Sequence, residues 1–266
     1  MNSKNKIKES STKTDYPGEK LTTKSIFSFS CHKNISCFTD CCKDVEMNLY
    51  PYDIIRLKNR LGIHSETFLS DYTTMEFDYG AWFPRITLKM SEREDKSCPF
   101  LSKEGCTVYD DRPFSCRSYP LARSISRKCS KNEQKASYYL VRHPYCNGHY
   151  EKKKWCIEEW VNSNKINIYN EMNASWISVD TIMKSYPFKQ KGLNLNFFRL
   201  LLSASYNLDN FREILEEHLA EKLEISPELI EKSKKSDITL MEIGFSFIKH
   251  CLTGDKMNYS KSCNFL

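Results

Sequence analysis

The stretch FSCHKNISCFTDCC, residues 29–42, ends on two adjacent cysteines and reads as Cys31-x5-Cys37-x3-Cys41-Cys42. Three more follow as Cys98-x7-Cys106-x9-Cys116, and Cys146 closes the series. Two thiol clusters more than fifty residues apart predict a chain folded back so that both sets of sulfurs meet around one or more soft cations. The spacing from Cys37 to Cys41 places both sulfurs on one side of a helical turn or tight loop, and Cys42 then points elsewhere. Such divergent neighbours can serve two metals, or one can bind while the other stays a reactive thiolate.

The expected ligand set is Cys31, Cys37, Cys41, Cys42, Cys98, Cys106, Cys116 and Cys146. It suits zinc or iron, the latter including an iron–sulfur cluster on four of the thiolates. Eight thiolates around two Zn²⁺ ions leave an excess of negative charge, which needs cations or hydrogen-bond donors beside it. Arg112 and Arg117 flank Cys116, and Arg85, Lys89 and Arg123 are near in sequence. Arg112, Arg117 and Tyr119 are the candidates for supporting the sulfurs, with ordinary surface ion pairing the competing reading for Arg112. His143 and His32 are expected to be hydrogen-bonded or surface residues rather than ligands.

Twelve cysteines also invite a disulfide framework. Against it, Met1 onward has no apolar signal segment, and adjacent cysteines bridge each other only through a strained ring, whereas both can ligate a metal. A reducing, cytoplasmic setting is therefore expected, in which clustered cysteines are metal sites or catalytic thiols. Cys156 reads as a small apolar residue, Cys251 and Cys263 as bystanders far from the cluster in sequence, and Cys129 as a thiol in a basic loop.

At 266 residues with 40% hydrophobic content the chain can bury a large core. Of the net charge of +6, half comes from residues 1–24, where six lysines face three acids. That segment is expected to be a disordered, solvated leader. Residues 25–150 are expected to form an irregular α+β cysteine-rich domain of short strands and helices, residues 151–255 a helical part packed on it, and residues 256–266 a tail.

Within this frame, Phe27 and Phe29 alternate with serines and predict a short extended lead with two buried rings. Ile54, Ile55, Leu57 and Leu61 share a helical face between Pro51, suited to a first turn, and Gly62, suited to a stop. Ser65 onward predicts a further helical turn, and Phe77 to Met90 a strand. Two extended pieces at Cys98–Leu101 and Cys106–Tyr109 flank a polar turn. A loop is expected from Pro120 to Ala136, then a strand at Tyr138–Val141. Helices are expected around 155–161, 166–183, 193–208, 209–223, 227–234 and 238–252.

Several function classes find no support. No Gly-rich phosphate loop, H-E-x-x-H helix or Ser/His/Asp constellation is present, and no apolar run is long enough to span a membrane. The aromatic and basic residues of 77–123 lack a nucleic-acid-binding motif, so nucleic acid is not an expected partner.

Phe29-Ser30-Cys31, Cys37-x3-Cys41-Cys42, Leu49-Tyr50-Pro51-Tyr52-Asp53, Cys98-Pro99-Phe100-Leu101, Gly105-Cys106-Thr107-Val108-Tyr109 and Asp111-Arg112-Pro113-x2-Cys116-Arg117-x-Tyr119-Pro120 occur in order. Together they resemble the YkgJ-type cysteine-cluster family over residues 29–160. The resemblance implies a domain that chelates zinc or iron. A distant similarity to flagellin lysine N-methylase places protein-lysine methyl transfer among the activities it implies by analogy, without an S-adenosylmethionine-binding Gly motif to support it. Three readings stay open: a metal-binding protein, a cluster-dependent methyltransferase or oxidoreductase, and a metal-stapled module that docks a protein partner.

Overall fold

The computed structural model describes residues 18–127, 134–185, 194–254 and 257. Most of the expected leader, Cys129, Cys263 and all of the tail but Met257 lie outside these residues. The chain is an α+β protein, and among the described residues its strands pair only antiparallel. Strand β1 (Glu19–Leu21) falls inside the stretch expected to be leader, because Leu21 is buried and the strand pairs with a later one. Strand β2 (Ile26–Ser28) carries Phe27 inward, and Phe29 follows it into the core, as the serine-spaced aromatics predict.

After the cysteine-rich loop come β3 (Asn48–Leu49), helix α1 (Pro51–Leu61), helix α2 (Ser65–Tyr72), β4 (Thr73–Glu76) and β5 (Arg85–Leu88). Helix α1 starts and stops where its residues dictate. Pro51 fills the first position, whose N–H would be unsatisfied anyway, Asp53 Oδ2 accepts from the Tyr50 N–H at 2.9 Å, and Gly62 takes the left-handed conformation at φ 65°. The strand expected over 77–90 is confined to β5, with β3 and β4 on either side of it in one sheet.

Then follow β6 (Leu101–Ser102), β7 (Gly105–Cys106), the one-turn helix α3 (Phe114–Ser118), β8 (Leu121–Arg127) and β9 (Gln134–Leu140). The loop expected from Pro120 is instead strand β8. Its seven residues pair with β9 from Leu121↔Leu140 to Arg127↔Gln134, so tertiary pairing overrides the polar, serine-containing composition. Strand β10 (Lys154–Cys156) pairs with β2.

The helical stretches form as α4 (Ile157–Ser163), α5 (Ile166–Ser185), α6 (Leu195–Ser205), α7 (Leu208–Ile214), α8 (Pro227–Lys235) and α9 (Asp237–Thr253). Among the described residues two apolar clusters organise the fold. The larger joins Met47, Leu57, Phe68 and Ile86 to Trp176, Val179, Phe211, Leu240 and Ile248, so it draws on residues from both sides of residue 150. Each fully buried large side chain there contributes roughly 1.5–3 kcal/mol relative to exposure. The smaller cluster gathers Leu21, Phe27, Phe29, Leu121, Leu140, Trp160, Val161 and Ile166. Among the described residues no helix is long and apolar enough to cross a membrane.

Candidate metal centre

The eight expected cysteines reach one region by six routes. Cys31 and Cys37 lie in the loop after β2, Cys41 and Cys42 in the single tight turn Asp40–Cys42, and Cys98 ahead of β6. Cys106 ends β7, Cys116 lies on α3, and Cys146 precedes the turn Asn147–Tyr150. Backbone bonds tie these pieces together. The Cys98 N–H donates to the Cys42 carbonyl at 2.8 Å beside the Lys43↔Ser97 bridge, and Leu101 pairs with Cys106. On the other side the Ser30 N–H donates to the Gly148 carbonyl at 3.0 Å, and the Asn147 N–H to the Cys37 sulfur at 3.1 Å. All ten described cysteines are free thiols.

The charges that bear on each thiol show which sulfurs are neighbours. Burial first, then the charges of Cys41, Cys37 and Cys146, push the Cys31 thiol up to about 11. Burial and then Cys98, Cys41 and Cys106 hold Cys116 well above the ordinary thiol range. Burial, opposed by the Phe100 N–H, and the charges of Cys106 and Cys41 bring Cys98 to about 11. Cys106 is raised by burial, with the Val108 N–H and Arg112 opposing. The Cys42 S–H donates to Cys41, which lowers Cys41 and raises Cys42, and the next charges on Cys42 are those of Cys41, Cys116 and Cys98. Cys31, Cys37 and Cys146 thus group with Cys41, and Cys98, Cys106 and Cys116 with the Cys41–Cys42 pair. The two apolar clusters divide the same way: Cys98 and Cys106 pack on the larger, Cys146 on the smaller, and Phe114 on both.

Cys116 keeps accessible surface, and desolvation is the first cause of its raised pKa. Among the described residues no group of three or more His, Cys, Asp or Glu stands in a metal-holding arrangement. The donor set nonetheless fits a soft cation: thiolates crowded in a partly desolvated region repel one another, a metal would displace their protons and supply the missing positive charge, and backbone N–H groups already point at Cys37, Cys98 and Cys106.

The supporting residues separate. Arg112 bears on Cys31, Cys106 and Cys116, while its guanidinium donates to Tyr109 O and Asn164 Oδ1 and lies 4.0 Å from the Tyr109 ring. Arg117 faces away from the sulfurs: it is buried, donates to the Asn164 and Asp110 carbonyls, and covers the Tyr169 ring. The Tyr119 hydroxyl lies 3.0 Å from His149 Nε2 and accepts from the His143 N–H at 3.4 Å, and burial and then the neighbouring Cys146 raise its pKa. Arg85 is occupied elsewhere, by Glu46, Glu76 and Asp78. His32 pairs with Glu151, and His143 stacks between Tyr119 and Tyr145.

Two residues were given no role by the sequence reading. Asp53, fully buried, accepts from the Tyr50 and Phe114 N–H groups and so couples α1 to the helix bearing Cys116. The acid three positions after Tyr50, behind a proline, was the available signal. His149 carried none, since its role depends on Tyr119, thirty residues earlier.

Fold and gathered thiols together define a cysteine-cluster domain. The chain belongs to the CxxCxxCC family, described as a "Putative zinc- or iron-chelating domain", whose model matches residues 30–172, more than half of the chain and onward into α5. No curated protein and no solved structure matches it.

Proposed function

We propose that this protein binds zinc or iron through Cys31, Cys37, Cys41, Cys42, Cys98, Cys106, Cys116 and Cys146, divided into two thiolate quartets that meet at the Cys41–Cys42 turn. Cys31, Cys37, Cys41 and Cys146 make the first quartet, and Cys42, Cys98, Cys106 and Cys116 the second. The observation that carries the reading is that Cys37 and Cys146 bear on Cys31 while Cys98, Cys106 and Cys116 bear on one another, with Cys41 bearing on both sets; Cys98 and Cys106 pack on the larger apolar cluster and Cys146 on the smaller, in line with that division. Tetrahedral sulfur quartets suit Zn²⁺, and the same four-thiolate sets suit an iron–sulfur cluster. Arg112 offsets part of the negative charge, and the N–H groups of Asn147, Phe100 and Val108 hydrogen-bond the thiolates. A cytoplasmic location belongs to the same proposal, supported by the free thiol state of every described cysteine.

When bound, zinc supplies structural cross-linking and an iron–sulfur centre supplies electron transfer. Anaerobic purification followed by metal and acid-labile sulfide analysis and a visible spectrum tests the reading. Metal at substoichiometric levels after anaerobic reconstitution with zinc and with iron would overturn it. Loss of about half the metal on Cys31→Ser or on Cys116→Ser, each sparing the other half, supports the two quartets; loss of all metal from either change argues for one shared centre.

A further inference from the structure

We propose that the seam between helix α5 and the β8–β9 hairpin binds a small 2-hydroxycarboxylate, held by Arg123, Asn170 and Asn173. The site draws on no cysteine and does not rest on the metal reading. Its starting observation is Asn173, which is 4% exposed with neither its Nδ2 nor its Oδ1 in a hydrogen bond. Asn170 Oδ1 and Arg123 Nε are buried and unpartnered as well.

Strand register and helical spacing bring these groups together. Leu121 of β8 pairs with Leu140 of β9, and both join Ile166 of α5 in the smaller apolar cluster. Two residues along the hairpin Arg123 pairs with Tyr138, and the two-residue period of a strand keeps this pair on the face that Leu121 and Leu140 turn to α5. One turn along the helix from Ile166, Asn170 donates through Nδ2 to the Tyr138 hydroxyl at 3.4 Å. Asn173 continues the same stripe one turn further on. An arginine and two amides thus extend a face that begins as carbon.

The chemistry of the four atoms selects the ligand. Buried amides in folded proteins are hydrogen-bonded, so Asn173 requires a partner that accepts from its Nδ2 and donates to its Oδ1. Among the described residues Arg123 makes no ion pair, which leaves a positive charge that water cannot neutralise. A carboxylate takes the Nε–H and a second guanidinium N–H of Arg123 side by side, with the Asn173 amide as a further donor. A phosphate would set a second negative charge against the two amide oxygens with a single arginine to meet it. Those oxygens accept from a donor on the carbon next to the carboxylate. A hydroxyl meets that need, whereas an ammonium would stand beside the Arg123 charge with no acidic side chain to balance it. Arg123 and Tyr138 are only partly buried, so entry runs beside them while both asparagines stay closed off.

Glycolate, acetate and glycine, each titrated into the full-length protein with the thermal midpoint as the signal, test the assignment. Glycolate should raise the midpoint and saturate, acetate should bind about tenfold more weakly for want of the hydroxyl, and glycine should leave the midpoint in place. Arg123→Met and Asn173→Leu should each weaken glycolate binding about tenfold or more. Without ligand Asn173→Leu should melt at or above wild type, because it replaces two unpaired buried atoms by carbon; a midpoint well below wild type would show that the amide has a protein partner and overturns the site. An absent glycolate response overturns it too, as does one that is the same in wild type and both variants, or acetate or glycine binding as tightly as glycolate. The side-chain amide resonance of Asn173 in the wild-type chain is the independent measurement: it should move on glycolate addition, and an unmoved resonance beside a shifted midpoint assigns the binding elsewhere and refutes the site.

Discussion

Asp53 Oδ1 accepts a hydrogen bond from the Phe114 N–H at 2.8 Å across 61 residues of sequence, while its other oxygen holds the start of its own helix. One carboxyl thereby fixes both the entry of α1 and the helix that carries Cys116. Replacing it by alanine removes a helix-start bond worth roughly 1 kcal/mol and leaves a buried N–H unpaired at roughly 1–3 kcal/mol. Asp53→Ala should lose about 2–4 kcal/mol in denaturant unfolding and should lower metal uptake, measured by metal analysis, because Cys116 loses its anchor. Full stability together with full uptake would refute this role.

Lys58, itself buried, lies 3.1 Å from Asp209 and 3.2 Å from Asp237, and Asp209 also accepts from the Ser65 N–H at 2.8 Å. This network joins α1 and α2 to α7 and α9. Burial alone would raise the Asp209 pKa, but the Ser65 N–H and Lys58 outweigh it and hold the carboxyl below its ordinary value. The sign follows: its stabilisation is present above the unfolded carboxylate pKa of about 4 and is lost as pH falls through the lower folded value. Asp209→Asn should flatten the acid limb of the stability–pH curve relative to wild type; an unchanged slope would show that other carboxylates govern that limb.

Gly244 lies where α9 crosses α6, and an added Cβ would come within 2.1 Å of the Ala204 carbonyl oxygen. Backbone must move to admit it, which places the cost of overpacking at about 1–3 kcal/mol. Gly244→Ala should lower the thermal midpoint by several degrees, whereas the same change at Gly254, whose Cβ would meet nothing within 4 Å, tests only the left-handed C-cap at φ 74°.

The loop from Phe29 to Met47 and the segment from Ser91 to Arg112 contain only short turns and two-residue strands. Their order depends on few backbone hydrogen bonds, so a bound metal contributes directly to their folding. Removing metal with a chelator should raise amide hydrogen exchange in these segments and leave α6 and α9, packed in the larger apolar cluster, protected. Uniform loss of protection would instead mean that the metal holds the whole chain.

Much of the helical part was legible because a 3.6-residue apolar period survives wherever one face is buried: α1, α5, α8 and α9 stand within a few residues of where the pattern puts them. Strand β8 was not, since Leu121–Arg127 has a loop-like composition and becomes a strand through its partner β9. In the candidate site, the spacing of the cysteines marked the thiols, and the residues beside Cys116 marked Arg112 and Tyr119. Nothing local separated Arg112, which bears on the sulfurs, from Arg117, which turns to Asn164 and Tyr169.

The amino-acid sequence by itself determined which atoms are available, eight soft donors in spaced groups, and which stretches are helical, because ligand type and periodicity are properties of the chain alone. Only the tertiary structure decided which sulfurs are neighbours, which arginine bears on them, and where Asp53, Lys58 and Tyr119 find partners. Those outcomes depend on contacts between segments distant along the chain, and their energies arise from burial and close approach, which no short stretch of residues encodes.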